Sequence, residues 1–514
     1  MIWQLFLLIL VVVIIREILS RRKVFRLREE LGYDGPPVTN YIKGNIGYFQ
    51  DIAITRGVSA MPEAFPELCA KYGKIFGIYF GPTLDLVVTD PALIQEIFIS
   101  QFHNFVNRKY ASIQMVYPML NGLLQVDQHG THGVGWKEIR SVVSAIFTSG
   151  KMRRMHLMFH DQLENLIDEM KNKSKLNDGR IEIYAEYQAM TMDMIARCAL
   201  GQNISCIKDR NNFFYTTARQ FVFNFSFLKS TVMRVATFFP IARYLRPYSN
   251  FGRPEAIIVR ELEEIVKARI KDRKAGRTRS LPDLIDLILD ENDKRAKNGE
   301  TPLHEEVIVS NLWSLFFAGY ETTSTALAFT SALLARHPQV QQTLYEEIIG
   351  AFGHSETIDY ERVMKLPYLH AVFCESLRHS PPVATFTFRQ CTHSTVIGGK
   401  YEVPEGVNII VPLHAVMWSE DNFTDPRSFI PERFLGDRLA TWSSTFLPFG
   451  IGPRNCVGAR FAEMEYKTVL AEVTRNFVTE VDPEHPKLKR TIMSALMSPV
   501  DNQLFVRLTP RGKA

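Results

Sequence analysis

Apolar residues occupy positions 2–15 almost without interruption, and Ile18 and Leu19 extend the run. About 18 residues at a rise of 1.5 Å give a helix of about 27 Å, close to the ~30 Å hydrocarbon core of a bilayer. Arg16 lies near the end of the run, where its side chain can reach the membrane interface. The pattern predicts an N-terminal transmembrane helix within residues 1–22.

The residues around this run predict its retention and orientation. No small-residue cleavage site follows it, which favours an uncleaved signal anchor over a removed signal peptide. No lysine or arginine precedes it, whereas several follow: Arg16, Arg21, Arg22, Lys23, Arg26 and Arg28. By the positive-inside rule the rest of the chain is expected in the cytosol. Residues 23–37 form a basic, proline-containing hinge, and we expect one large domain over residues 38–514.

Beyond the hinge, two parts of the chain have the character of β-strands. Residues 76–80 and 86–89 are short apolar runs rich in β-formers and are separated by Gly81-Pro82. Residues 396–411 contain a second such region with glycine and proline turns. These runs predict a small β portion.

Most other segments have helical spacing. The longest predicted helix covers residues 303–337, about 50 Å, with Thr301 as its N-cap and Pro302 in its first turn. Before it, the charge-rich residues 290–300 are interpreted as a solvated connection. The predicted fold class is therefore mainly α with a small β portion, in a single domain.

Composition narrows the functional class without fixing it. The chain has 514 residues, 46% of them apolar, and a net charge of +5, which gives no reason to expect a nucleic-acid partner. Its six cysteines show neither the paired spacing of a disulfide framework nor a C-x-x-C zinc pattern. A reducing compartment is expected for the large domain.

Residues 213–245 combine aromatic and basic residues and contain no acid. The phenylalanines are Phe213, Phe214, Phe221, Phe223, Phe225, Phe227, Phe238 and Phe239, and the cations are Arg219, Lys229, Arg234 and Arg243. Such a stretch suits a membrane interface, although phenylalanines are equally at home in a core. Both interpretations stay open.

One cysteine lies in a loop with the character of a metal site. The stretch is Phe449-Gly450-Ile451-Gly452-Pro453-Arg454-Asn455-Cys456-Val457-Gly458. Glycines 450, 452 and 458 allow positive φ and a close approach of the backbone to a flat group. An amphipathic helix follows, so the sulfur lies near a helix N-terminus, which favours a thiolate. Cys456 is therefore a candidate thiolate ligand of a metal.

This loop matches every fixed position of F-x-x-G-x-[R/H]-x-C-x-G and resembles the haem-binding signature of the cytochrome P-450 haem-thiolate monooxygenases. The resemblance implies haem b (iron protoporphyrin IX) bound through Cys456, with Phe449, Arg454 and Gly458 in the cofactor-binding loop. It implies monooxygenation, with the anchored protein in the endoplasmic reticulum membrane and its catalytic domain facing the cytosol. Further motifs of the family occur in the correct order along nearly all of the chain.

In the middle of the long helix, residues 318–323 resemble the family motif [A/G]-G-x-[D/E]-T-T. The resemblance implies that Ala318 and Gly319 permit close approach to the haem, and that Glu321 and Thr322 deliver protons. Trp136 and Arg140 match W-x-x-x-R. They are expected to bind the haem propionates, together with Arg389, Arg454 and, more weakly, Arg108. Glu375, Arg378 and Arg433 match a buried charge network beneath the haem.

Electrons must come from outside the chain, because no G-x-G-x-x-G follows a strand. Family precedent names the NADPH-dependent microsomal reductase, with cytochrome b5 as a second donor. We expect the reductase to dock near Cys456 on cations such as Lys137 and Lys467. His129 and His132, in a glycine-rich loop, are expected to be solvent-exposed rather than metal-binding.

The motif at residues 318–324 looks most like the animal branch that contains broad-specificity drug- and steroid-oxidising enzymes, which implies a lipophilic substrate. Two alternatives remain. One is a haem-thiolate isomerase or dehydratase that needs no reductase, and Glu321-Thr322 argues against it. The other is a membrane-anchored haem carrier or sensor without turnover.

Overall fold

The computed structural model describes all residues except 1, 39, 41–43, 82, 109–115, 227–228, 239, 278, 280–281, 386, 437–443, 494 and 513–514. Its α-helices are α1 Ile2–Val24, α2 Leu27–Glu30, α3 Ile46–Thr55, α4 Ala64–Tyr72, α5 Pro91–Gln95, α6 Trp136–Ser144, α7 Ser149–Leu157, α8 His160–Leu176, α9 Ile183–Ile195, α10 Phe213–Asn224, α11 Thr231–Phe238, α12 Gly252–Lys274, α13 Leu284–Lys297, α14 Glu305–Arg336, α15 Pro338–Phe352, α16 Tyr360–Val363, α17 Pro367–His379, α18 Leu413–Met417 and α19 Ala459–Asn476. Short 3-10 or π segments lie at Val58–Glu63, Glu96–Ser100, Phe102–Asn104, Met119–Asn121, Ala196–Leu200, Pro240–Tyr248, Pro431–Phe434 and Val500–Asn502.

The strands are short and form small sheets. They are β1 Ile75–Tyr79, β2 Leu84–Val88, β3 Arg180–Glu182, β4 Thr387–Gln390, β5 Thr395–Ile397, β6 Tyr401–Val403, β7 Asn408–Val411, β8 Phe477–Val481, β9 Arg490–Met493, β10 Leu496–Pro499 and β11 Phe505–Pro510. The largest sheet has the order β1-β2-β7-β4, in which only the β2 and β7 pair is parallel. The predicted fold class, mainly α with a small β portion, is confirmed.

Helix α14 is the central element of the fold. Most of its side chains are buried, and it packs against α9, α12, α17, α19 and β8. A helix that is apolar on nearly every side must be surrounded by protein. Its middle third is thereby held at a fixed position between the loop that precedes α19 and helices α9 and α10.

Two predicted boundaries were wrong. The long helix begins at Glu305 rather than at residue 303, because the side chain of His304, not that of Thr301, accepts the backbone N–H of Glu306 and caps it. Residues 290–297, interpreted as part of a connection, belong to α13. The side chain of Asp283 caps that helix. The charged residues of its second half point to solvent, which explains the charge-rich run.

Within the residues that the structure describes, no helix has the length and apolar character required to cross a membrane.

Candidate active site

The loop before α19 is shaped by two glycines. Gly450 and Gly452 have φ of 73° and 77°, in the left-handed region. A Cβ at Gly452 would lie 2.0 Å from the carbonyl oxygen of Phe98, so no larger residue fits there. The Cys456 N–H donates to the carbonyl of Phe449 at 2.8 Å, which closes the loop. Gly458, the third glycine expected to allow positive φ, has φ of −92° and leaves open space where a Cβ would point.

The Cys456 side chain lies on the wall of an interior cavity. Its accessible surface faces that cavity, and burial raises the pKa of its thiol. The Gly458 N–H and the guanidinium groups of Arg140 and Arg108 act in the opposite direction on this pKa. All six cysteines are described, and Cys456 alone lines the cavity. The sulfur is therefore placed to become a thiolate when a cation binds it.

The facing wall belongs to α14. Ala318 exposes its methyl group to the cavity, and Thr322 lies one turn further on the same helix face. The Thr322 hydroxyl donates to the Ala318 carbonyl at 2.6 Å. A Cβ on Gly319 would lie 3.0 Å from Ile195 Cδ1, so this glycine lets α14 pack closely on α9. Thr322 thus presents its oxygen to the cavity from a fixed position.

Glu321 is buried between α14 and α9. Its carboxylate accepts hydrogen bonds from the Tyr184 hydroxyl and, at 3.2 Å, from Gln188 Nε2. Burial raises the pKa of Glu321 to about 7, while the hydrogen bonds from Tyr184 and Gln188 and the charge of Arg219 lower it. No sequence motif predicts a role for Tyr184 or Gln188. Both lie in a helix that also carries Glu186, Thr191 and Asp193, so polarity alone does not distinguish them.

A group of cations lies around the Cys456 loop. Arg140 donates to the backbone oxygen of Asn455 at 2.7 Å and to its side-chain oxygen at 2.8 Å. Arg454 is buried, donates to the Val106 carbonyl at 2.6 Å and has its guanidinium 5.1 Å from the Trp136 ring centroid. These contacts order the loop and concentrate positive charge beside the thiol.

Two further predicted arginines also line this cavity. The Arg108 guanidinium donates to the Arg454 carbonyl at 3.1 Å. Arg389, on β4, is buried and has its guanidinium 4.5 Å from the Phe98 ring centroid. Every predicted site residue therefore borders one cavity: Trp136, Arg140, Ala318, Gly319, Glu321, Thr322, Arg389, Phe449, Arg454, Cys456 and Gly458.

These residues fit the haem that the resemblance implies. A thiol faces the cavity, guanidinium groups beside it suit two carboxylates, and Gly458 presents no side chain where a flat group would approach. The facing wall carries the small Ala318 and a hydroxyl. The set offers one soft anionic ligand and leaves the opposite side open to a second, exchangeable one.

The predicted charge network is confirmed. The Arg378 guanidinium donates to both oxygens of Glu375, at 2.7 and 2.8 Å, and Arg433 Nε lies 3.4 Å from the same carboxylate. Glu375 and Arg378 are completely buried. Remaining Arg378 donors bind the carbonyls of Met417 and Pro426 at 3.0 and 2.7 Å. The network joins α17 to the segment that leads toward the cysteine loop.

One predicted docking cation was wrong. Lys467 lies on the buried face of α19, where its ammonium group pairs with Glu463 at 2.8 Å and donates to the Met364 carbonyl at 3.2 Å. It is completely buried and cannot meet a partner protein. Lys137, at the start of α6, is exposed. His129 and His132 are exposed, as predicted.

The described phenylalanines of the aromatic segment divide into buried and exposed side chains. Phe221 is buried and packs on Phe317 and Trp313 of α14, with ring centroids 4.5 and 5.8 Å apart. Phe213 and Phe223 are exposed. Phe227, Phe239 and the side chain of Phe238 lie outside the described residues. The buried members form an apolar cover over the cavity.

Comparison with known proteins agrees with this geometry. A model of the cytochrome P450 family matches residues 41–506. The putative cytochrome P450 CYP13A2 of Caenorhabditis elegans is 30% identical over 474 residues, covering 87% of this chain and 88% of its own. Cytochrome P450 3A29 of Sus scrofa is 30% identical over 88% of this chain and 86% of its own. Cytochrome P450 3A5 of Homo sapiens is 29% identical over 80% of each chain. The chain therefore belongs to the cytochrome P450 family and is a haem-thiolate monooxygenase that binds haem b through a cysteine.

Proposed function

We propose that the enzyme inserts one oxygen atom from O2 into a lipophilic substrate bound between the Cys456 loop and the cover formed by α10 and α14. The observation that carries this proposal is a cavity of about 1010 Å³ whose wall is mostly apolar and includes both Cys456 and Thr322. A pocket of this kind buries an apolar molecule and orients it with a few polar groups.

Cys456 is the proposed ligand of the haem iron, and Arg140, Arg454 and Arg389 hold the propionates, with Trp136 packed against Arg454. Haem bound through a thiolate supplies the activation of O2 for oxygen insertion. Arg140 holds Asn455, so the same side chain fixes the loop geometry and supplies charge near the thiol. Gly452 keeps the loop against Phe98.

Proton delivery is assigned to Glu321 and Thr322. A carboxyl whose pKa is about 7 changes its protonation state readily at neutral pH, which suits a proton shuttle. Tyr184 and Gln188 hold it in one orientation. A threonine hydroxyl can both donate and accept a hydrogen bond. That of Thr322, which donates to the Ala318 carbonyl, lies on the cavity wall one residue further along the helix than Glu321.

The substrate class follows from the cavity lining away from the cations. Phe221, Phe225, Met233, Phe317 and Leu496 present apolar side chains there. Polar groups such as Ser314 are few in this part. A ligand that buries most of its surface against such a wall gains about 25 cal/mol per Å² of apolar area. Xenobiotic, steroid and fatty-acid-like molecules all meet this requirement.

The enzyme is proposed to be a single-pass protein of the endoplasmic reticulum membrane with its catalytic domain in the cytosol. The apolar run at residues 2–15 and the basic residues after it support this topology. Electrons are proposed to come from the NADPH-dependent microsomal reductase, with cytochrome b5 as a second donor. Lys137 supports docking on the face nearest the Cys456 loop.

Reconstitution tests the proposal. Purified protein, reductase and NADPH should consume oxygen faster when a lipophilic substrate is added, and an oxygenated product should accumulate. Cys456→Ala should lose both the thiolate-type ferrous carbonyl spectrum and turnover, whereas Cys69→Ala, at a half-buried cysteine away from the cavity, should keep them. Rearrangement of a peroxide without reductase, or haem binding with no turnover of any substrate, would contradict the proposed reaction.

A further inference from the structure

Two histidines and a glutamate meet on the surface at the start of α14. His132 comes from the glycine-rich loop before α6, and His304 and Glu306 come from the cap and first turn of α14. One ligand atom of each lies within 4.8 Å of the others. The proposed reaction uses none of them. His132 and Glu306 are 174 residues apart in the chain, so the fold brings the three side chains together.

The contacts show which atoms are available. His132 Nε2 lies 3.1 Å from Glu306 Oε2. His304 Nδ1 accepts the Glu306 N–H at 3.3 Å, which leaves Nε2 of His304 for another partner. The two imidazole rings lie face to face, with centroids 4.0 Å apart and planes 8° apart. All three side chains are exposed, so the His132 ring can turn until its nitrogen lone pair and that of His304 Nε2 converge, while Nδ1 of His304 keeps its contact with the Glu306 N–H.

We propose that His132, His304 and Glu306 form a surface site for a divalent metal ion, and that this ion is Zn²⁺. Two imidazole nitrogens and one carboxylate oxygen are a ligand set that zinc accepts in tetrahedral geometry, with water at the fourth position. Mg²⁺ and Ca²⁺ prefer sites made of oxygen atoms. The site should therefore discriminate strongly for Zn²⁺ over these two ions.

The ion would join a loop of the active-site wall to the central helix. Asp127 accepts the N–H groups of His129 and Gly130 at 2.9 and 2.6 Å and thereby shapes the loop that carries His132. Asp127 and Gly130 border the catalytic cavity, and Trp136 follows the loop. A ligand that binds the folded chain and not the unfolded chain stabilises the fold. Zinc should therefore raise the melting temperature of the holoenzyme.

Isothermal titration calorimetry of the untagged holoenzyme with ZnCl2, in excess Mg²⁺, tests the site. We expect one saturable site per chain. Loss of groups that merely orient a metal ligand lowers metal affinity about 10–100-fold, so loss of a ligand in His132→Ala, His304→Ala or Glu306→Gln should weaken binding at least that much. Zinc K-edge absorption spectroscopy should show scattering from two imidazoles.

His129→Ala is the matched control, since His129 is an exposed histidine of the same loop and its Nε2 faces the Gln128 side chain. It should bind zinc like the wild type. The ferrous carbonyl spectrum of each variant verifies that the haem domain is folded, and each substituted side chain is exposed. Absence of saturable binding, or unchanged affinity in both His132→Ala and His304→Ala, overturns the proposal.

Discussion

Glu321 and Thr322 are adjacent in sequence but lie in different surroundings. The carboxyl of Glu321 points into the contact between α14 and α9, where Tyr184 and Gln188 bind it. The hydroxyl of Thr322 lies on the cavity wall. The proposed proton delivery uses both groups, and because their surroundings differ, each residue can be tested by a different measurement.

Tyr184→Phe should raise the pKa of Glu321 above about 7, because the tyrosine hydroxyl donates to the carboxylate and so favours its ionised form. The buried carboxyl would then stay protonated to a higher pH. Infrared spectroscopy of the carboxylic acid C=O band as a function of pH measures this, and Glu321→Gln identifies the band. Tyr187→Phe, whose hydroxyl bonds Ser331 on the same helix pair, is the control. An identical titration in Tyr184→Phe would contradict the assigned contact.

Thr322→Ala should uncouple NADPH consumption from product formation. Alanine removes the hydroxyl that the cavity wall presents, and a positioned proton donor typically contributes about 10²-fold or more, so product per NADPH should fall by at least about tenfold. Peroxide should rise in compensation, and substrate affinity should barely change. NADPH, peroxide and product are measured in the same reaction. Equal product-to-NADPH ratios in the two proteins would mean that Thr322 takes no part in proton delivery.

Between elements, the Glu375 network joins α17 to the segment before the cysteine loop. Arg378→Ala leaves the buried carboxylate of Glu375 with the Ile430 N–H and the more distant Arg433. Breaking a buried pair in this way costs about 3–5 kcal/mol. We expect much lower haem retention and a large loss of stability in denaturant unfolding. Arg362→Ala breaks two ion pairs whose side chains are about half exposed, and it should cost much less stability because exposed pairs are screened by solvent. Similar losses in the two variants would disprove the structural importance of burial here.

Glu321 is not the only acid buried in the core of the described structure. Glu465, on helix α19, is also buried and faces α14. Burial raises the pKa of Glu465 to about 8, and Thr323 partly opposes the shift. The folded chain therefore holds a proton that the unfolded chain releases near pH 4.3, so stability falls as pH rises from there to about 8.

Glu465→Gln removes this ionisation while keeping the side-chain shape. The variant should melt at a higher temperature than wild type at pH about 8 and show a much smaller difference at pH about 5. Circular dichroism melting at both values measures the effect. A constant difference between the proteins at the two pH values would show that Glu465 does not titrate in this window.

The sequence predicted those features whose residues lie close together in the chain, and it could not predict contacts between distant segments. The glycines, the cysteine and the following apolar period lie within one stretch, and they predicted the loop and α19. The same period could not place Lys467 on its correct face, because α19 is buried on more than one side and Glu463 compensates the charge. Tyr184 and His304 acquire partners across the fold, and no local pattern carries that information.

At the scale of the whole molecule, one group of exposed apolar side chains supports the proposed membrane contact. In the 3-10 segment Pro240–Tyr248, Ile241 is 78% exposed and Leu245 54%. Tyr244 and Tyr248 are also exposed, and the positions 241, 244, 245 and 248 have the i, i+3, i+4, i+7 spacing. Exposed apolar and aromatic side chains grouped in this way are typical of a membrane interface.

Deleting residues 2–22 should therefore weaken membrane attachment without abolishing it or affecting haem incorporation, because the run contributes no residue to the cavity. Flotation with phosphatidylcholine and phosphatidylserine vesicles should recover part of the truncated protein. Adding Ile241→Ser and Leu245→Ser should abolish flotation by removing the buried apolar area that holds the protein at the interface. Leu176→Ser, at an isolated leucine that is 82% exposed, should not. If the truncated protein does not float at all, the second membrane contact does not exist.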